Sequence, residues 1–275
     1  MDWVAARGRL ASPIFAPLAA ALAGLPADRW PTHEELTALA QGIVTSRGQP
    51  VRFVAPREHT DRERRYYELH IADTGEVETR PESWHDLFNA LVWITYPQSK
   101  ARINAQHAAI LGEGGDAEAR NRGPERDALT LFDEGGVIVA SRDPGLLRLV
   151  VDFEWKQLFW HRRAELGAAI RFFAFGHACF EQSLEPYIGM VAKTVFVPVD
   201  ELFFMLPIDA QVVQADALLA AHFATRAKFH SPKSMAPMPV LGVPGWHFAS
   251  QDEAFYDDPD HFRSKGVKGE RPEAA

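Results

Sequence analysis

WHDLFNALVWITYPQSKARINAQHAAIL, residues 84–111, is the stretch on which the reading of this chain turns. Trp84, Leu87, Phe88, Leu91 and Val92 recur at the spacing of one helix face, and Ser83 or Glu82 supplies a start. Pro97 interrupts that helix, and a second is predicted from there to about Leu111. At about 100° per residue, Lys100, Asn104 and His107 point within about 40° of one another. Ile103, Ile110 and Leu111 share their arc, whereas Arg102, Gln106 and Ala109 lie on the far side. A helix normally keeps its polar residues opposite its apolar stripe. Here a cation, an amide and an imidazole sit inside the stripe, and burying them without partners costs several kcal/mol. The spacing therefore predicts a polar cleft, with Lys100 and Asn104 as substrate-binding groups and His107 as an acid–base group.

Outward from this stretch, the pattern alternates helices with short extended runs. Residues 1–48 read as helical, with Thr32 and Glu35 placed for a capping box. Pro13–Leu25 is apolar but punctuated by Pro13, Pro17 and Pro26, which predicts a short docking helix rather than a leader. Val51–Val54 reads as a strand. Tyr66–Ile71 and Glu76–Arg80 flank Ala72-Asp73-Thr74-Gly75 and predict a hairpin. Gly112–Asp127 reads as a polar loop, and Leu129–Asp133 with Val137–Ser141 as a second hairpin around Glu134-Gly135-Gly136. Asp143-Pro144 is a helix start. Trp155–Leu184 reads as helical, with Gly167 or Gly176 as a candidate break, Lys193–Val199 as a strand and Ile208–Phe229 as an amphipathic helix. The remainder is proline-rich, and Leu241, Trp246, Phe255, Tyr256 and Phe262 predict an ordered strap over the core.

The predicted 155–184 helix repeats the first anomaly. Arg162 falls at the centre of its apolar arc and His177 lies inside it, with Glu181 one turn on. A buried arginine cannot shed its charge and requires an anion. Asp133, at the tip of the second predicted hairpin, is the natural carboxylate for Arg162 or Lys100, while neighbouring Glu134 reads as an ordinary turn residue. The candidate set is thus His107, Asp133 and His177 for acid–base work and Lys100, Asn104 and Arg162 for binding. A divalent metal held by His107, His177, Glu181 and Asp133 is left open, because no spacing specifies it. Cys179 lies in a Phe-rich run and reads as an inert buried thiol.

Composition removes whole classes. The 275 residues carry a formal charge of −8, which gives no attraction to nucleic-acid backbones. The cluster Arg62, Arg64 and Arg65 reads as a solvated loop. One cysteine excludes an internal disulfide and fits a reducing, cytoplasmic setting. No segment reaches the roughly 20 apolar residues of a membrane span. No P-loop, G-x-G-x-x-G, H-E-x-x-H, G-x-S-x-G or C-x-x-C is present, so no nucleotide or thiolate-zinc cofactor is indicated. The oligomeric state is not encoded in any pattern we recognise.

Longer strings add a resemblance. WHDLFNALVWITYPQSKARINAQH (84–107), RDALTLFDEGGVIVAS (126–141), WKQLFWHRR (155–163) and FFAFGHACFEQSLEPYIGMVAK (172–193), with PVLGVPGWHF and AFYDDPDHFR near the C-terminus, resemble the proteobacterial domain of unknown function 3025. The resemblance covers about residues 80–263. It implies a bacterial, intracellular protein and supplies no catalytic residues. The order of elements predicts a single α+β domain over 1–265 with a disordered tail over 266–275. Two functions compete: an enzyme (hydrolase or transferase) acting on a small anionic molecule, and a non-catalytic binding protein whose polar cluster is structural.

Overall fold

The computed structural model describes residues 2–60, 63 and 66–264, with the backbone alone at 116, 117, 119 and 120. The basic residues Arg62, Arg64 and Arg65 and the tail at 266–275 lie outside the described residues. The chain opens on short helical pieces: α1 (Trp3–Arg7), a tight turn over Pro13–Leu18 leading into α2 (Ala19–Ala23), and α3 (His33–Leu39). Ile14, Phe15 and Leu18 are buried, so this apolar segment docks as its sequence predicts. Thr32 and Glu35 close the capping box on α3.

β1 (Arg52–Val54) and β2 (Glu76–Glu78) pair in parallel, and α4 (Tyr67–Thr74) crosses between them. The first predicted hairpin is therefore wrong. Gly75 is not a hairpin turn but the left-handed cap that ends α4, with φ of 73° and its N–H bonded to the Ile71 carbonyl at 2.8 Å. Only glycine fits there, since an added Cβ would sit 2.0 Å from the Pro50 carbonyl oxygen.

α5 (Trp84–Thr95) starts on Ser83 and is separated by Tyr96 from α6 (Pro97–Arg120), as the sequence indicates. The α6 N-terminus is fixed from a distance. Asp216 accepts hydrogen bonds from the Gln98 and Ser99 N–H groups at 3.0 and 2.8 Å, an anion placed at the positive end of the helix. α6 runs on past Gly112 and kinks at Gly115, where φ is 53°, and α7 (Pro124–Gly135) follows. The predicted Gly112–Asp127 loop is thus mostly helical, because isolated glycines weaken a helix by only about 1 kcal/mol each.

The second predicted hairpin is likewise replaced by a helix and a strand. Ala128, Leu129 and Phe132 form one buried face of α7, and β3 (Gly136–Ser141) begins at the second glycine. Gly136 permits this switch, since a Cβ there would meet the Phe132 carbonyl oxygen at 2.4 Å. α8 (Pro144–Asp152) starts on the Asp143 cap.

The predicted helix over Trp155–Leu184 does not form. A wide turn over Gln157–His161 closes with Arg162 N–H on the Gln157 carbonyl at 2.9 Å, and Gly167, with φ of 86°, turns the chain. β4 (Ile170–Ala174) then pairs with β3, and α9 (His177–Ser183) starts after Gly176. A short, fully apolar run fits a buried strand and a buried helix equally well, and periodicity cannot separate them.

β5 (Val191–Pro198), α10 (Glu201–Met205), α11 (Ile208–Phe223) and β6 (Ala236–Pro239) complete the regular elements. The larger sheet runs β4-β3-β5-β6. β3 is antiparallel to β4 and parallel to β5, and β6 is antiparallel to β5. All six residues of β3 are buried, as a central strand covered on both faces requires. The architecture is α+β. From Val240 to Phe262 the chain forms tight turns without strands, and Leu241, Trp246, Tyr256 and Phe262 are buried. Tyr256 Oη donates to the Gly242 carbonyl at 3.1 Å and ties the strap to itself. Among the described residues, no helix is long and apolar enough to cross a membrane.

Candidate functional site

Four helices and the start of a fifth enclose a polar cavity of about 340 Å³, within the range of small-molecule sites. α6 gives it Lys100, Asn104 and His107, all buried at 5%, 2% and 4% exposure. The polar stripe read from the sequence therefore does face inward. α5 contributes His85 and Asn89, α7 contributes Arg126, Asp133 and Glu134, α4 contributes Glu68, and His177 opens α9.

Lys100 reaches across to α7. Its Nζ lies 2.6 and 2.9 Å from the two oxygens of Asp133 and 2.9 Å from Asn89 Oδ1, with the Trp93 ring 5.5 Å away. Burial works against the Asp133 charge, but the Lys100 ammonium, with His177 and His107, more than offsets it and holds the carboxyl below its usual range. Lys100 is therefore committed to an internal ion pair rather than offered to a substrate. Asn104 Nδ2 donates to the Glu68 carbonyl and to Glu68 Oε2, both at 2.8 Å, tying α6 to α4.

Several polar atoms of the lining residues are left over, His177 Nδ1 among them. Asn104 Oδ1 and His107 Nδ1 are buried without a hydrogen-bond partner, and so is Arg126 Nε. Burial lowers the His107 pKa, against the opposing pull of Glu68 and Asp133, so the ring is neutral at pH 7. Arg126 Nη1 donates to the Glu118 main-chain carbonyl at 2.9 Å, and burial lowers its pKa from the ordinary arginine value.

At the other end, imidazoles and carboxylates converge. Gly176 lets α9 approach α7 so closely that a Cβ would lie 2.3 Å from the Glu134 carbonyl oxygen. That contact sets His177 beside Asp133 and Glu134. His177 Nδ1 lies 3.6 Å from Asp133 Oδ2, and its Nε2 lies 3.3 Å from Glu134 Oε2 and 3.1 Å from His85 Nε2. His85 Nδ1 in turn lies 3.0 Å from Glu181 Oε2. Burial lowers the His177 pKa to about 4, with Asp133 pulling the other way, while burial raises that of Glu134. The donor atoms of His85, Glu134 and His177 all lie within 4.8 Å of one another, a set able to hold a metal ion.

The structure thus brings together five of the six residues singled out from the sequence: Lys100, Asn104, His107, Asp133 and His177. The sixth is a correction. Arg162 sits outside the cavity on the 155–165 turn, pairs with Glu165 and lies 3.6 Å from Asp143. It was placed in the cleft only because its segment was read as a helix. Of the metal set left open from the sequence, His177 is in the convergent group, while Asp133 and Glu181 stand behind the imidazoles and His107 lies apart. Sequence reasoning missed His85, Asn89 and Arg126, and it read Glu134 as a turn residue. His85, Asn89 and Trp93 share an i,i+4 row on α5, which was the available signal. Cys179 is buried and its thiol is pushed up to about 12 by burial, as an inert core cysteine.

A family model described as a protein of unknown function, DUF3025, matches residues 51–266. No curated protein and no solved structure matches the chain. The matched segment carries every residue of the cavity named above, and the chain belongs to the DUF3025 family.

Proposed function

We propose that this cavity is the active site of an enzyme that performs acid–base chemistry, hydrolytic in class, on a small anionic molecule. The observation that carries the reading is a cavity large enough for a metabolite whose wall includes the buried polar side chains Lys100, Asn104, His107 and His177. Arg126 Nε and the neighbouring Arg122 provide positive charge for the anionic group, in the role first assigned to Lys100 and Arg162. The reacting bond lies toward the opposite end, where His85, Glu134 and His177 converge and a proton can be taken or delivered. Lys100 and Asp133 act as positioning residues there, holding α6 against α7 beside His177.

The competing reading is a binding protein without turnover. It is favoured by the Lys100–Asp133–Asn89 cluster, whose hydrogen bonds are satisfied within the protein. The two part on experiment. Purified protein is screened by thermal shift and by turnover against phosphoesters, carboxylic esters and amides, beside an Asn104→Leu variant. A compound that raises the wild-type melting temperature, loses that effect in Asn104→Leu and is converted supports the enzyme. Stabilisation without conversion supports the binding protein. No response to any compound at millimolar concentration overturns both.

A further inference from the structure

We propose that His85, His177 and Glu134 are the protein ligands of one divalent transition-metal ion, with zinc as the best chemical fit. The inference rests on the reading of this cavity as the functional site and specifies what its imidazole end holds.

The first argument is about tautomers. His85 Nδ1 faces Glu181 Oε2 at 3.0 Å, and a carboxylate only accepts, so this nitrogen carries the proton. His177 Nδ1, 3.6 Å from Asp133 Oδ2, makes no hydrogen bond, so either of its ring nitrogens can carry the proton, and metal binding selects Nδ1. With the His177 proton on Nδ1, both Nε2 atoms present lone pairs, 3.1 Å apart. A cation lying between them and the third donor, Glu134, satisfies all three donor atoms at once.

The second argument is the size of the gap. Donor atoms held about 2.0–2.1 Å from a tetrahedral zinc ion are about 3.3–3.4 Å apart. The His85–His177 edge is 3.1 Å and the His177–Glu134 edge is 3.3 Å. The third edge closes within 4.8 Å, and the half-exposed Glu134 side chain has freedom to shorten it.

The third argument is the support behind the ligands. Metal-binding histidines characteristically hand their other ring nitrogen to a carboxylate, which fixes tautomer and orientation. Glu181 stands in that position for His85, while Asp133, pinned by Lys100, lies 3.6 Å from His177 Nδ1, beyond a hydrogen bond. The three ligands come from three separate helices, α5, α7 and α9, so the set is held by the scaffold rather than by one loop.

Charge agrees. Among the residues lining the cavity, carboxylates outnumber arginine and lysine by five to four. An anionic substrate would meet a formally negative site, and a divalent cation reverses that sign. Two histidines and one carboxylate leave a coordination position facing the cavity, where such an ion lowers the pKa of a bound water and polarises an ester or amide carbonyl.

The test uses full-length protein stripped with chelator and dialysed. Co²⁺ is titrated while visible d–d absorption is followed, and Zn²⁺ affinity is measured by competition with a chromophoric chelator. One equivalent of Zn²⁺ per chain is expected, with a dissociation constant at or below micromolar and a higher melting temperature on binding. His85→Ala and Glu134→Gln, at partly exposed positions where folding is preserved, should each weaken Zn²⁺ by at least a hundredfold. Glu181→Gln should weaken it about tenfold to a hundredfold, as loss of a carboxylate behind a ligating histidine does. No saturable binding of Zn²⁺, Co²⁺, Mn²⁺ or Fe²⁺ at about ten times the protein concentration overturns the proposal, as does binding indifferent to His85→Ala. Small-molecule stabilisation that depends on Asn104 but not on metal leaves the cavity reading standing and sinks only the metal. Saturable metal binding with no small-molecule response does the reverse.

Discussion

Replacing Lys100 by methionine keeps most of the length of the side chain and removes its charge, leaving a largely buried Asp133 beside His177 and an empty ammonium position. The penalty has a ceiling that follows from protonation. A stranded carboxylate can always take a proton, and at pH 7 that costs about 1.36 kcal/mol for each unit between pH 7 and an unfolded pKa of about 3.9, so about 4 kcal/mol. The same reasoning gives about 1.5 kcal/mol at pH 5. Loss of the attraction itself, about 4 kcal/mol for unit charges some 4 Å apart at an effective dielectric constant of about 20, is of the same size. Lys100→Met should therefore destabilise the fold by about 3–4 kcal/mol at pH 7 and by roughly 2 kcal/mol less at pH 5.

The sign is fixed. In the wild type the Asp133 pKa is lowered, so its contribution is fully present above about pH 4 and lost below that. In the variant the folded pKa rises above the unfolded value, so relative stability is regained as pH falls. The double variant Lys100→Met/Asp133→Leu should recover at least about 2 kcal/mol over the sum of the single changes. Urea denaturation followed by circular dichroism at pH 5 and 7 measures all of these. A Lys100→Met loss below about 1 kcal/mol at pH 7, or one independent of pH, would refute the buried-pair account.

Three further outcomes follow from other contacts. Gly176→Ala places a Cβ against the Glu134 carbonyl at 2.3 Å, and relieving such backbone overpacking should cost about 1–3 kcal/mol and lower the melting temperature by several degrees, as differential scanning calorimetry reads. His261 is buried, its Nδ1 accepts from Gly189 N–H at 3.0 Å, and burial lowers its pKa to about 4. A depressed histidine leaves the unfolded state binding the extra proton, so stability should fall as pH drops from about 6.5 towards 4; His261→Gln, which keeps an acceptor without titrating, should flatten that fall in pH-dependent urea unfolding. Deleting the chain from Pro239 onward removes buried Leu241, Trp246, Tyr256 and Phe262 and should produce aggregation or a lower melting temperature; an unchanged melting temperature would show the strap to be dispensable.

What the sequence made legible follows the reach of its periodicity. Lys100, Asn104 and His107 could be found because α6 is a real helix and three polar residues interrupt its apolar arc. The same logic applied to 155–184 failed for Arg162, since an arc drawn on a helix that does not form assigns a face that does not exist. His177 reached the site by a different route, the close approach of Gly176 to α7, which no hydrophobic pattern reports. Both mistaken hairpins came from one ambiguity, in which glycine after acidic or small residues serves equally as a turn and as a helix end.

The residues missed, His85, Asn89 and Arg126, and the misread Glu134 share a physical cause. Each sits on a helix whose apolar face points to the core, and each looks solvent-facing when that helix is considered alone. In the fold the outer faces of α5 and α7 are turned toward one another and toward α6, so a surface polar by sequence becomes the wall of a cavity. A polar stripe on one helix was visible because its neighbours on the same helix are apolar. A polar chamber between helices is visible only once their packing is known, and the chamber rather than any one stripe is where His85 meets His177 and Glu134.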